Sequence, residues 1–307
     1  MISSLLLVTE EAAAPAPTEF EIVLGTTTPS FTYDFTWTKD RINATTHVLS
    51  NTVLGDFYLS SAASTAEQAT VPAVDSDDVT WGFNMPTDNA SNTDGSITSS
   101  TKNNSFSSVV SYTGTGANAT VGHSLGVVPE LILVKNRIDV VPWLVYNATI
   151  GNTMYLILND ILAAATLASA WNNTSPTSSV FSVGTNGTVN DNNDGMIALC
   201  FASVAGKCKV GSYTGDGTTD DSNTVSCGFL PSFLMVRRTD DVGSWMMFDS
   251  VRDTDGRQDS YLIANTAGAE VVNSTLDIIF DSDGFTVSST NSNINASGST
   301  YIFLAIK

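Results

Sequence analysis

Along most of this chain apolar and polar residues alternate over short runs, and Gly, Asn, Asp and Pro punctuate the runs. Residues 32–38 (TYDFTWT), 79–83, 130–135, 143–146, 196–201, 233–237, 245–248, 276–280 and 301–306 are short and rich in aromatic or β-branched side chains, so each is predicted to be a strand. Only residues 161–170 (ILAAATLASA) carry a helical signature, and a short helix is expected there. Many short strands between turn signals predict an all-β protein of small antiparallel sandwich or jelly-roll-like domains, not a parallel α/β sheet.

The pattern repeats. Residues 111–146 open with SYTG and residues 212–248 do the same; Tyr112 aligns with Tyr213, Pro129 with Pro231, Lys135 with Arg237 and Trp143 with Trp245, at a spacing of 101–102 residues. That interval fits a whole small domain better than a solenoid unit. The match runs on: residues 189–201 align with 294–305, an apolar closing strand in both. A weaker third copy starts at Phe35, where Lys39 matches Lys135 and Arg41 matches Arg137, with residues 77–83 as its closing strand. Tandem domains formed by internal duplication are therefore expected: an arm over residues 1–18, a degenerate unit over 19–95, a polar linker over 96–106, and full units over 107–206 and 209–307.

Composition narrows the function. Against 31 acidic residues stand 12 Lys and Arg, a formal charge of −19, so a bare phosphate backbone would be repelled and nucleic acid is not an expected partner. No run of apolar residues is long enough to predict a membrane-inserted helix. The apolar residues Ile2, Leu5, Leu6, Leu7 and Val8 lack a basic flank and meet Glu10 and Glu11 at once, which argues against a signal peptide; with the Ala-Pro run at residues 12–17 they read as an arm, whose expected role is anchoring if the chain belongs to a larger assembly. Cys200, Cys208 and Cys227 read as buried thiols, and His47 and His123 with no CxxC make no zinc pattern. No nucleophile elbow, P-loop or dinucleotide fingerprint occurs on a strand–helix frame, so the chain is not expected to be an enzyme.

Candidate contact residues come from the repeat. The cations Lys39/Arg41, Lys135/Arg137 and Arg237/Arg238 recur at one place in the unit. Ion pairing, or anchoring of a strand end to carbonyls, competes there with contact to an anionic glycan or partner. Trp143 and Trp245 read as core plugs, with a sugar platform as the alternative, while Trp171 sits in an aromatic turn expected at an edge. Asp253, Asp255 and Asp259 are the best-spaced trio for a Ca2+ ion among several Asp-Gly clusters, which Asx-turns also explain, and no cofactor is otherwise expected.

The strings Ser111-Tyr-Thr-Gly-Thr-Gly, Val134-Lys-Asn-Arg, Trp171-Asn-Asn-Thr-Ser-Pro, Met235-Val-Arg-Arg-Thr-Asp and Phe248-Asp-Ser-Val-Arg together resemble the repeated β module of tail-fibre-like virion structural proteins of tailed bacteriophages, marine ones especially. The resemblance spans most of residues 107–307, with a degraded match over 31–83. It implies a surface-exposed, non-enzymatic particle component, made in the host cytoplasm and involved in host attachment through a host surface glycan. A capsid decoration or head-fibre protein is the alternative within phages, and a secreted carbohydrate-binding module outside them. It also implies other capsid or tail proteins as partners and a homo-oligomer, a trimer first.

Overall fold

In the computed structural model, which describes residues 18–307, the chain is all-β with antiparallel sheets stacked as sandwiches. Unit 1 comprises β1 (Phe20–Leu24), β2 (Phe35–Asp40), β3 (Val48–Asn51), β4 (Phe57–Leu59), β5 (Gln68–Ala69) and β6 (Asp78–Phe83). Unit 2 comprises β7 (Ala90–Asn92), β8 (Ser99–Asn103), β9 (Ser107–Thr113), β10 (Ala119–Gly122), β11 (Leu131–Asn136), β12 (Leu144–Asn147), β13 (Met154–Ile157), β14 (Ala165–Thr166), α1 (Ala168–Trp171), β15 (Val180–Val183), α2 (Gly187–Asn190) and β16 (Gly195–Phe201). Unit 3 comprises β17 (Cys208–Thr214), β18 (Asn223–Ser226), β19 (Phe233–Arg238), β20 (Met246–Asp249), β21 (Arg257–Gln258), β22 (Ser260–Ile263), β23 (Val271–Val272), β24 (Leu276–Asp281), β25 (Gly284–Ser289) and β26 (Thr300–Ile306).

One strand order appears three times: β1-β6-β2-β3-β4-β5, β9-β16-β11-β12-β13-β14 and β17-β26-β19-β20-β22-β23. In each, the first strand pairs with the last, and the last pairs with the second. Strand alternation gives every sheet two faces. The inner faces of all three meet in a single core, where Phe35, Trp37 and Trp81 of unit 1 pack with Leu133 and Val145 of unit 2 and Met235, Met247 and Leu304 of unit 3. The outer faces differ. A small sheet of β10 and β15 covers unit 2, burying Ile132, Val134 and Tyr146. A four-stranded sheet of β18, β25, β24 and β21 covers unit 3, burying Leu234, Val236 and Phe248. Among the described residues, unit 1 has no such covering sheet.

The shared core corrects the picture of separate tandem domains. Residues 96–106 are also no linker: β8 pairs with β9 and extends the unit 2 sheet, with Ser99 and Thr101 buried. Their low hydrophobicity reflects a Ser/Thr-rich strand next to the sheet edge, where β7 pairs outside β8. Of the helix expected over 161–170, only one turn forms, at Ala168–Trp171. Residues 161–164 lie extended along the unit 3 seam instead, where Ala164 N donates to Thr239 O and Gly243 N donates to Ile161 O, each at 2.9 Å. Two-residue strands β5, β14 and β23 end the sheets on one side, a short and weak template for edge pairing.

Candidate functional site

The recurrent sequence positions turn out to be the joints of the ring. Lys39, Lys135 and Arg237 occupy equivalent positions, point inward and are buried. The Lys39 ammonium donates to the carbonyls of Asp40 and Asn43, and Lys135 donates to those of Asn136 and Asp139, so each ties down the hairpin loop that follows its strand. Arg237 donates to Gly243 O in its own loop and to Leu162 O of unit 2. Burial pushes the Lys135 ammonium down to about 8 and the Arg237 guanidinium down to about 10, and the Asp139 and Asp160 carboxylates offset it only in part. These two side chains are thus withdrawn from any glycan, which corrects the contact reading in favour of carbonyl anchoring.

Eight residues beyond these cations stand His47, Trp143 and Trp245. Their ring N–H groups donate across the seams, His47 Nε2 to Ile263 O at 3.0 Å, Trp143 Nε1 to Ser60 O at 2.8 Å and Trp245 Nε1 to Ile157 O at 2.9 Å. Trp37 Nε1 donates to His47 Nδ1, which fixes the neutral tautomer with its proton on Nε2, and burial holds this imidazole down to about 3. Two residues beyond the cations, the carbonyls of Arg41, Arg137 and Thr239 accept from the backbone N–H of Glu270, Glu67 and Ala164 at 2.8, 2.8 and 2.9 Å. Arg41 forks onto Glu270, Arg137 forks onto Glu67, and Thr239 stands where the third arginine would be. Arg238, one position earlier, pairs with Asp240 and Asp241 of its own loop.

A relation that returns to its start after three steps is a threefold rotation, and rotation keeps equivalent loops at one axial height. The hairpin loops 41–47, 137–143 and 239–245 therefore share one end of the body. Exposed Ile42, Ile138, Val140 and Val242 lie on those loops, with Ile161 and Leu162 beside them. Glu19 and Lys307 lie at the other end, where Lys207 binds Glu19 through its ammonium and Lys307 through its backbone. Ile2, Leu5, Leu6, Leu7 and Val8 lie outside the described residues.

Trp171 is not an edge platform. It is 2 % exposed, packs edge-on against Tyr146 and donates through Nε1 to Met154 O. The Asp253, Asp255 and Asp259 trio does not converge: the Asp253 carboxylate accepts from the N–H and hydroxyl of Ser260, and Asp255 accepts from Arg257 N. Among the described residues, Asp139, Asp191 and Asp194 do bring carboxylate oxygens within 4.8 Å of one another, although Asp194 is already held by Asn136 Nδ2. The aligned tyrosines are staples: Tyr112 donates to Val189 O and Tyr213 to Ile294 O, both at 2.6 Å. The three cysteines are buried and free, and burial pushes the Cys227 thiol up to about 12.

The feature that sequence reasoning missed is a groove on the uncovered outer face of unit 1. Its cavity volume is about 690 Å3, with a floor of Thr36, Thr38, Ser50 and Thr80 and walls from residues 25–29 and 71–75. Positions equivalent to Thr36 and Thr38 are Ile132 and Val134 in unit 2, and Leu234 and Val236 in unit 3. Threonines at alternate positions of residues 36–38 were the available signal. Asp40, Asp75 and Asp78 line one end, where burial, with Asp75 and Asp40 nearby, holds the Asp78 carboxyl above its ordinary range. Gly25, at φ +58°, closes the wall: a Cβ there would stand 2.8 Å from Ser76 O.

The family described as a domain of unknown function (DUF7483) matches residues 56–307. The match begins within unit 1, so the groove draws on residues both before and inside it. No curated protein and no solved structure matches the chain.

Proposed function

We propose that this chain, which belongs to the DUF7483 family, is a phage virion structural protein, a fibre-like attachment component that works by binding and not by catalysis. The observation that carries the reading is the two-ended ring: three sheets closed on one core, Glu19, Lys207 and Lys307 together at one pole and exposed apolar hairpin loops at the other. Such a body is held at its base and presents its far pole and flanks. The buried cations and seam bonds make it a rigid carrier, and rigid carriers hold recognition surfaces at fixed geometry. The common strand order supports descent of the three units from one duplicated module. Homo-oligomerisation as a trimer stays in this reading on the strength of the resemblance, since the two-residue edge strands offer little for edge pairing.

A capsid decoration or head-fibre role is the second reading. It is favoured by the same pseudo-threefold body, which suits a seat on a lattice threefold. Imaging intact particles by cryo-electron microscopy and tracing the chain separates the two. Density at the tail tip with the Thr18 pole inward supports attachment, density on the head lattice supports decoration, and particles without the chain overturn both.

A further inference from the structure

We propose that the outer face of the unit 1 sheet is a binding groove for a neutral polyhydroxylated ligand, the chemistry of a saccharide. The inference rests on the attachment reading only for its biological setting; the groove stands on its own geometry.

The other two units bury the same face. Six outward positions of units 2 and 3 are Ile132, Val134, Leu144, Tyr146, Ala198 and Cys200, and Leu234, Val236, Met246, Phe248, Phe303 and Ala305. All are apolar, and all are buried beneath a covering layer. In unit 1 the same positions hold Thr36, Thr38, Val48, Ser50, Thr80 and Gly82. The segments that build the cover elsewhere are here two short loops, residues 25–34 and 70–77. The cover and the apolar face it requires are lost together. An apolar strand, from the N-terminal arm or a second copy, would bury hydroxyls here without new partners, at a penalty of about 1–3 kcal/mol for each unsatisfied group. A ligand carrying hydroxyls of its own meets no such penalty.

The polar groups suit that ligand. Thr36 Oγ1 and Ser50 Oγ lie 2.7 Å apart, and Thr38 Oγ1 and Thr80 Oγ1 lie 3.0 Å apart. Each pair consumes one proton and leaves one hydroxyl proton and several lone pairs free, so the floor both donates and accepts, as a sugar does. The Tyr33 hydroxyl is buried in the wall, and among the described residues it makes no hydrogen bond of good geometry, although the Glu21 carboxylate lies close enough to act on it. Asp40, Asp75 and Asp78 line the groove and no Lys or Arg does, so anions are repelled. Two of these carboxylates are committed to the walls: Asp40 accepts from Ile42 N, Asn43 N and Asn43 Nδ2, and Asp78 accepts from Asp75 N. These bonds occupy the carboxylate oxygens without removing their charge, which the nearby Lys39 ammonium offsets in part, so neutral hydroxyls are the proposed match and a cation is the rival to be tested. The volume falls within the ~300–1,000 Å3 of small-ligand sites.

The test titrates the full chain with maltotriose, cellobiose, lactose and chitobiose, with glucuronic acid and spermidine as anionic and cationic controls and a synthetic peptide of residues 1–17 as the self-occupant. Backbone-amide NMR reads both affinity and location. At least one neutral sugar is expected to shift amides of residues 23–50 and 71–80. The Thr38→Val/Thr80→Val variant keeps the shape and removes one hydroxyl pair, so that sugar should bind about tenfold more weakly. Thr36→Val provides the same reading on the other pair if the double variant fails to fold. Absence of binding by all four sugars, shifts outside the groove, unchanged affinity in the variants, or preference for spermidine, glucuronic acid or the peptide would each overturn the proposal. None of these outcomes bears on where the chain sits in a particle, so the attachment reading stands or falls separately.

Discussion

Replacing Trp81 by alanine tests whether the three sheets form one cooperative body. Trp81 belongs to unit 1, yet it is 1 % exposed inside the common core. Its Nε1 donates to Asp249 Oδ2 of unit 3 at 3.2 Å, Phe233 of unit 3 meets it edge-on with centroids 5.7 Å apart, and the Arg252 guanidinium lies 5.9 Å from its ring centroid. Removing a fully buried indole uncovers ~200 Å2 of apolar surface, which at ~25 cal/mol per Å2 is about 5 kcal/mol. Measured Trp→Ala changes in cores, about 3–5 kcal/mol, agree. A loss of that size is a large part of the ~5–15 kcal/mol that holds a typical domain folded. Hydrogen exchange by mass spectrometry on Trp81→Ala should show the slowest amides of β2, β11 and β19 losing protection together. Urea unfolding should shift by a matching free energy. Loss confined to residues 20–83, with β19 and β20 as protected as before, would refute the single-core reading and restore separate domains.

Other outcomes follow from the seams and the groove. Glu270 accepts from Arg41 and from the fully buried Arg252; burial alone would raise its carboxyl, but the two guanidinium groups outweigh it and hold it below the ordinary range. Its stabilisation is therefore complete above the unfolded carboxylate range and lost as pH falls through the lowered native value. Glu270→Gln should cost about 2–4 kcal/mol at pH 7 and flatten the acid limb of a Tm-against-pH curve. Lys135, held down to about 8, binds its proton less readily folded than unfolded, so stability should climb from pH 8 towards the ordinary lysine value near ~10.4, and Lys135→Met should abolish that climb. A Cβ on Gly82 would lie 2.1 Å from the Tyr33 ring, so Gly82→Ala should lower stability by about 1–3 kcal/mol, and adding Tyr33→Ala should recover part of it in thermal melts. All five tryptophans are buried at 5 % exposure or less, so iodide should quench little native fluorescence, and strong quenching would contradict the inward orientation of the sheets.

Local physics made the strands legible. Alternating β-branched and aromatic residues between Gly, Asn and Asp turns placed β11, β16, β19 and β26 within a residue or two, because strand formation depends on a period that can be counted. Residues 161–170 misled the same reasoning: their Ala-rich run favours a helix, but the seam to unit 3 offers Thr239 O and Gly243 N as partners for an extended chain, and tertiary hydrogen bonds override weak propensity. The recurrence of Lys39, Lys135 and Arg237 was likewise visible, as was its reading as carbonyl anchoring. Which reading applied depended on the face each side chain took, and one strand position separates buried Arg237 from Arg238 at the loop. That the three inner faces bury one another, and that among the described residues the outer face of unit 1 carries loops and not a covering sheet, follows from contacts between residues far apart in the chain. No local period encodes such contacts. Strands, turns and the repeated joints follow from local pattern; which faces met follows from packing across the chain, and it left a hydroxyl-lined groove where two sister sheets carry a cover.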